Sequence, residues 1–283
     1  MPGTLYLCAT PIGNLGDMTP RAVETLRSVD VIAAEDTRNS IKLLNHFDIH
    51  TPMTSYHEYN KVEKAGKLVE QLMAGQNIAL ITDAGTPAIS DPGEVLVKMC
   101  QESGVPVTSL PGPAACITAL TLSGLPTRRF CFEGFLPSDK KEKREVLEEL
   151  VRESRTIILY EAPHHLVRTL EELREALGDR DVTLCRELTK RFESVMPTTL
   201  DGALEYYKDQ EPKGEYVLVL RGRSREEKRR EEISAWESMS IEEHMAYYQD
   251  QGLDSKAAMK QVAKDRGTGK REIYAYLHRD EGG

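Results

Sequence analysis

Short apolar runs alternate with segments of helical spacing along this chain, and glycine or proline stands at the junctions. No other feature constrains its fold as much. Residues 5–10, 31–34, 78–82 and 105–110 are such runs, each short and bounded by turn residues. Between them, 20–28, 41–47, 61–73, 94–102 and 114–122 read as helices, and 53–58 as a further strand. Thr19 is placed to cap the first helix, with Pro20 at its first position. Strands joined by helices of this length imply a parallel sheet covered on both faces. The stretch 123–129 has linker character, and a second α/β unit follows. Its strands are expected at 130–136, 156–161, 182–188, 194–199 and 216–221, and its helices at 140–151, 164–177 and 202–207. An almost wholly charged stretch at 223–232 precedes three short helices near 241–250, 256–264 and 270–277. Three parts are therefore expected: 1–125, 126–223 and 224–283.

Composition narrows the class. No apolar run approaches the roughly 20 residues needed to span a bilayer. The first residues lack the basic and apolar regions of a secretory signal. The five cysteines, Cys8, Cys100, Cys116, Cys131 and Cys185, are scattered and never form a C-x-x-C pair, which argues against disulfides and zinc. A cytoplasmic location is the expectation. His164 and His165 have no third ligand at a suggestive spacing, so no metal is expected. The net charge of −9 does not favour nucleic acid, but binding depends on local patches. One lies near the end, where Lys256, Lys260, Lys264, Arg266, Lys270, Arg271 and Arg279 outnumber Asp265 and Glu272.

Ligands of open parallel sheets bind outside the carboxyl ends of the strands. Three glycine- and proline-bearing bends share that location: 11–16, 83–93 and 111–113. Glycine lets a backbone approach a ligand closely, and proline holds a turn rigid. Neither G-x-G-x-x-G after the first strand nor the nucleoside-triphosphate loop motif is present. A ligand with an adenine, a ribose and a zwitterionic tail suits such loops, and composition does not name it.

Six ordered blocks carry a resemblance. They are Thr10-Pro11-Ile12-Gly13-Asn14-Leu15, Ala34-Glu35-Asp36-Thr37-Arg38, the run from Asp83 to Gly93, Leu110-Pro111-Gly112-Pro113, Glu133-Gly134-Phe135-Leu136-Pro137 and Arg186-Glu187-Leu188-Thr189-Lys190. In this order the chain resembles the ribosomal RNA small subunit methyltransferase I family, a branch of the tetrapyrrole methylase superfamily. The resemblance implies an α/β, two-domain tetrapyrrole-methylase-like fold. It has a parallel first sheet, a mixed second sheet and a small C-terminal helical appendix. It further implies S-adenosylmethionine held in the cleft, with 1–125 providing the cleft and 126–223 closing it. A homodimer is implied, as is methyl transfer to the ribose 2′-hydroxyl of a cytidine in the decoding region of 16S ribosomal RNA. Porphyrin-modifying relatives carry a glycine-rich turn ending in Asp after the first strand. This chain has Pro11-Ile12-Gly13-Asn14 there, which favours the RNA branch.

Residue roles follow as expectations. A ribose hydroxyl is a poor nucleophile, so Glu35, Asp36 or Glu187 takes or orients its proton, unless each merely caps a helix or pairs with Arg38 or Arg186. Pro11, Gly13, Asp83, Gly85, Thr86, Ile89, Ala114, Ala115 and Glu161 are the cofactor-site candidates, with an Asx-type turn the alternative role for Asp83. Arg38, Arg128, Arg129, Lys190, Lys270 and Arg271 are candidates for RNA phosphate contact, against surface salt bridging. The terminal helices resemble a helix-turn-helix that grips the RNA backbone, or serve as a small cap. Two other functions stay open: methylation of a small molecule such as a tetrapyrrole, and a non-catalytic nucleic-acid-binding protein.

Overall fold

The short apolar runs build the first sheet of the computed structural model, which describes residues 1–224, 236 and 238–278. Its strands are β1 (Leu5–Cys8), β2 (Val31–Ala34), β3 (Met53–Ser55), β4 (Ile78–Ile81) and β5 (Val107–Leu110). They lie in the order β3-β2-β4-β1-β5, all parallel, as the spacing requires. Between them run α1 (Pro20–Ser28), α2 (Thr37–His46), α3 (Lys61–Met73) and α4 (Gly93–Glu102), with α5 (Ala115–Leu122) after β5. Leu5, Leu7, Ile78 and Leu80 face α3 and α4, burying Leu68, Leu72 and Leu96. Cys8, Ile32, Ala79 and Ile81 face the other way, onto Leu26 of α1 and Leu44 of α2. Thr19 caps α1 as expected. Helix α2 begins at Thr37 rather than 41, because the Asp36 side chain accepts from Arg38 N and starts the turn earlier.

The second sheet contains β6 (Phe130–Gly134), β7 (Thr156–Glu161), β8 (Asp181–Arg186), β9 (Ser194–Thr199) and β10 (Tyr216–Leu220), in the order β6-β7-β10-β8-β9. Only β6 and β7 pair parallel, so this sheet is mixed. Helices α6 (Lys140–Arg152), α7 (Leu166–Leu177) and α8 (Leu200–Tyr206) cover one face, around Leu159, Leu184 and Leu218. Strand β8 stops at Arg186, not 188, because Glu187 and Thr189 turn left-handed at φ 51° and 66°. Helix α7 starts at Leu166, not 164; His164 and His165 precede it and are exposed.

Helix α5 packs Cys116, Ala119 and Leu120 against Ile158, Val217 and Val219 of the second sheet. Helix α5 and the second sheet thus share one buried cluster, which also contains Ile12 and Leu125. Met1–Arg221 accordingly forms a single compact unit that spans residue 125.

The second unit is Gly222–Gly283. Most of the expected charged stretch, 225–232, lies outside the described residues, as does Arg279. The unit comprises α9 (Ile241–Asp250), α10 (Ser255–Asp265) and α11 (Lys270–Leu277), packed around Met245, Ala258, Val262 and Ile273. Gly252 and Gly267 turn left-handed at the breaks. Lys256, Lys260 and Lys264 recur at helical spacing and are exposed, as are Lys270 and Arg271. Arg266 has another use: its guanidinium donates to Met239 O, Ser240 O and the Nδ1 of His244.

His244 is fully buried and stacks on Trp236, centroids 4.1 Å apart and planes 9° from parallel. Burial and the Arg266 charge hold its pKa below the ordinary 6.5, against the opposing pull of Asp265. The fold therefore favours the neutral ring. That contribution is complete above about pH 6.5 and is lost as pH falls through the lower folded value. Acidification from about pH 7 to pH 5 is expected to loosen these helices. The fluorescence of Trp236, the chain's one tryptophan, reads it, and His244→Gln should flatten the response.

Candidate active site

The three bends at the carboxyl edge of the first sheet are bonded to one another. Thr10 N donates to Gly85 O at 2.9 Å, and Gly85 N returns the bond to Thr10 O at 3.1 Å. The Thr86 hydroxyl donates to Pro113 O at 2.9 Å. Gly85 sits at φ 87°, and a Cβ there would lie 3.3 Å from Ile12 Cγ2, so the crossing depends on glycine. Ala88 and Ser90 are also left-handed, at φ 65° and 62°. Asp91 holds that turn by accepting from Gly93 N at 2.7 Å and Ile89 N at 3.3 Å. Backbone strain of this kind persists where surrounding contacts enforce it, often at functional sites.

The second sheet supplies the facing wall. The carboxyl ends of β7 and β8 lie beside the amino end of β10, because β10 runs antiparallel to both. A cavity of about 440 Å³ lies between the two sheets, within the size range of small-molecule sites. Ala84, Ala114 and Ala115 leave room on one side, and Tyr160, Glu161 and Leu188 stand on the other. The amino end of α5 lies in this wall, and a helix start leaves N–H groups without helical partners. Its N-cap residue, Ala114, has no capping side chain, though the Cys116 N–H donates to the Tyr160 hydroxyl at 3.2 Å.

Gly85, Thr86, Ile89, Ala114, Ala115, Glu161, Glu35 and Lys190 all line the cavity. Pro11, Gly13 and Asp83 do not. Gly13 packs on Lys190: a Cβ there would fall 2.3 Å from Lys190 Cγ. Asp83 accepts from Asp36 N at 3.2 Å and Asn39 Nδ2 at 3.3 Å, tying the β4 loop to α2. The buried Glu161 carboxylate accepts from Ala162 N at 2.8 Å and from the Thr169 hydroxyl at 2.5 Å, which orders the turn after β7. Arg128 and Arg129 are exposed on the linker, away from the cavity lining. Lys270 and Arg271 belong to the second unit.

The three candidate carboxylates sit in different surroundings. Asp36 caps α2 and pairs with Arg38, Oδ2 to Nη2 at 2.8 Å, and those bonds pull its pKa from 3.8 to about 2. Arg38 is correspondingly engaged with Asp36. Burial alone would raise the pKa of Glu187; the Glu215 N–H and the Lys190 ammonium outweigh it and hold the carboxyl below its usual range. Lys190 Nζ bonds Glu187 at 2.9 Å and Glu215 at 2.7 Å. Burial pushes that ammonium down, but the two carboxylates more than compensate. Glu35 differs: it lines the cavity, and its Oε2 accepts from the Thr82 hydroxyl at 3.1 Å. Among the described residues it forms no ion pair, unlike the other two.

Tyr160, Phe135 and Glu215 line the cavity and were not among the expected site residues. Phe135 stands in a signature block, so its neighbourhood was visible. Glu215 precedes a strand, and only the antiparallel direction of β10 brings it to this edge.

Residues 4–203 match the family model described as Tetrapyrrole (Corrin/Porphyrin) Methylases. The chain is 49% identical over 278 residues to a Ribosomal RNA small subunit methyltransferase I of Halalkalibacterium halodurans, covering 98% of this chain and 96% of that one. It is 47% identical over 276 residues to the Bacillus subtilis protein of the same name, covering 98% and 94%. Among solved structures it resembles a diphthine synthase, with a TM-score of 0.61 at 13% identity, covering 78% of this chain and 91% of that one. It also resembles the uroporphyrin-III-C-methyltransferase of Thermus thermophilus, with a TM-score of 0.55 at 17% identity, covering 77% and 94%. Likeness at that identity speaks to the fold alone.

Proposed function

This chain belongs to the tetrapyrrole methylase family, and from that premise we propose that it methylates ribosomal RNA. The reaction is transfer of a methyl group from S-adenosylmethionine to the ribose 2′-hydroxyl of a cytidine in the decoding region of 16S ribosomal RNA. The reading includes a cytoplasmic homodimer acting on RNA of the small ribosomal subunit. The observation that carries it is the bonding of the three bends into one cradle, through the Thr10–Gly85 and Thr86–Pro113 contacts.

The cradle fits the donor. Gly85, Ala114 and Ala115 leave space for an adenosyl group, and the amino end of α5, whose cap residue Ala114 offers no capping side chain, suits a carboxylate. S-adenosylmethionine, when bound, supplies an electrophilic methyl group on a sulfonium. The chain's own contribution is alignment and proton handling, and alignment alone removes much of the barrier. Glu35 takes or orients the proton of the ribose hydroxyl, with Thr82 holding one of its oxygens. Lys190, fixed by Glu187 and Glu215, lends positive charge to the cleft wall beside an anionic substrate. The exposed lysines of α10 and the basic start of α11 contact RNA phosphates.

Calorimetry with S-adenosylmethionine and transfer of labelled methyl to small ribosomal subunits, naked 16S RNA and a porphyrin test this reading. Label in RNA sugar and none in porphyrin is expected; label in porphyrin alone overturns it. A chain ending at Arg223 is expected to keep donor affinity and to lose affinity for RNA. If it methylates subunits as well as the full chain does, the terminal helices are no RNA clamp.

A further inference from the structure

The end of β6 is built to turn one ring into the cleft. Its pairing with β7 slips between Phe132 and Gly134. A bulge of this kind bends a strand and re-aims the side chain that follows. Gly134 is left-handed at φ 64°, and a Cβ there would lie 3.0 Å from Ser90 Oγ on the first-sheet loop. The chain then places Phe135 on the cavity wall, 57% exposed. Its ring is not loose. It meets Tyr160 edge-on, with centroids 5.6 Å apart at 64°. Tyr160 is held in turn by Phe132, at 4.9 Å and 68°, and by the N–H of Cys116 at the start of α5, at 3.2 Å.

A single exposed apolar residue needs no explanation by itself. This one is rigidly backed and stands inside a cavity that also holds Glu35 and Lys190. An ordered, solvent-facing ring suits a flat π-system, and base–aromatic stacking is the usual way single-stranded nucleotides are gripped. Proteins that work on one nucleotide of a strand take it splayed from its neighbours, which leaves the base in need of a new stacking partner.

We infer that Phe135 is the platform on which the base of the acceptor nucleotide stacks, fixing its ribose in the cleft. The inference rests on the RNA reading above and adds the residue that holds the substrate. Stacking of this kind is sequence-tolerant, so Phe135 positions the nucleotide without choosing its base.

The test compares Phe135→Ala, Phe135→Leu and Phe135→Tyr with the parent chain on unmethylated small ribosomal subunits. KM for subunits is expected to rise about tenfold or more in the Ala and Leu variants and to stay near the parent value with Tyr. The dissociation constant for S-adenosylmethionine, by calorimetry, is expected to hold throughout. Leu performing like the parent overturns the inference, because bulk rather than a π-face then suffices. Donor affinity falling in step with KM also overturns it, since the ring then serves the adenosine. Should the Ala variant fail to fold, the Leu and Tyr pair still decides the matter. Failure of the parent chain to label RNA sinks the RNA reading and this inference together. Labelled RNA with unchanged KM in the variants sinks the inference alone.

Discussion

Glu35→Gln is expected to slow methyl transfer by about two to four orders of magnitude, the usual worth of a general base, while donor affinity stays unchanged. The amide keeps the shape and can still accept from the Thr82 hydroxyl, but it cannot take a proton. The two neighbouring candidates serve as controls. Asp36→Ala removes the α2 cap and the Arg38 pair, so stability should fall by about 1 kcal/mol while turnover changes less. Glu187→Gln loosens Lys190, so the KM for RNA should move more than kcat. Single-turnover rates with saturating donor separate these outcomes. Full turnover in Glu35→Gln, or equal losses in all three variants, removes Glu35 from the proton path.

Gly214→Val should cost the first unit about 3 kcal/mol or more through two effects. Gly214 is left-handed at φ 80°, where a residue with a side chain is disfavoured by about 1–2 kcal/mol. A Cβ there would fall 2.4 Å from Glu187 Cγ and 2.7 Å from its Cδ. The displaced carboxylate leaves Lys190 Nζ and Glu215 N, which it holds at 2.9 and 3.0 Å. Bonds to charged groups contribute about 1.5–3 kcal/mol each when intact. At about 2–4 °C per kcal/mol for a unit of this size, the unfolding midpoint should drop by roughly 10 °C in scanning calorimetry. Adding Glu187→Ala should recover part of the loss, because the two changes share one contact. A drop below about 3 °C would show that the loop accommodates the side chain without losing its contacts.

Local rules made much of this molecule legible. Leu5 and Leu7 against Tyr6 and Cys8 announce a strand buried on both faces, and they pack as that pattern says. The bends at 11–16, 83–93 and 111–113 announce a site at the carboxyl edge, and their hydrogen bonds join them there. Element ends were harder wherever a partner distant in sequence sets them. Strand β8 ends early because Glu187 turns left-handed, with its N–H on Glu215 O and its carboxylate beneath Gly214. The strand at 130–136 reads as unbroken, yet its pairing slips beside β7.

The residues alone determined which segments are helix or strand, which faces are apolar and where glycine permits a close crossing. These properties depend on backbone freedom and spacing within one or two turns of chain. Only the tertiary structure decided which carboxylates are spoken for. Asp36, Glu35 and Glu187 look alike in a string of letters. Arg38 claims the first, the Thr82 hydroxyl steadies the second without neutralising it, and Lys190 with Glu215 claims the third. It also decided that β10 runs backwards, carrying Glu215 to the cleft, and that a slip in β6 aims Phe135 at it. Charge pairing and strand direction are set by groups that meet only after the chain has folded, so no local pattern encodes them.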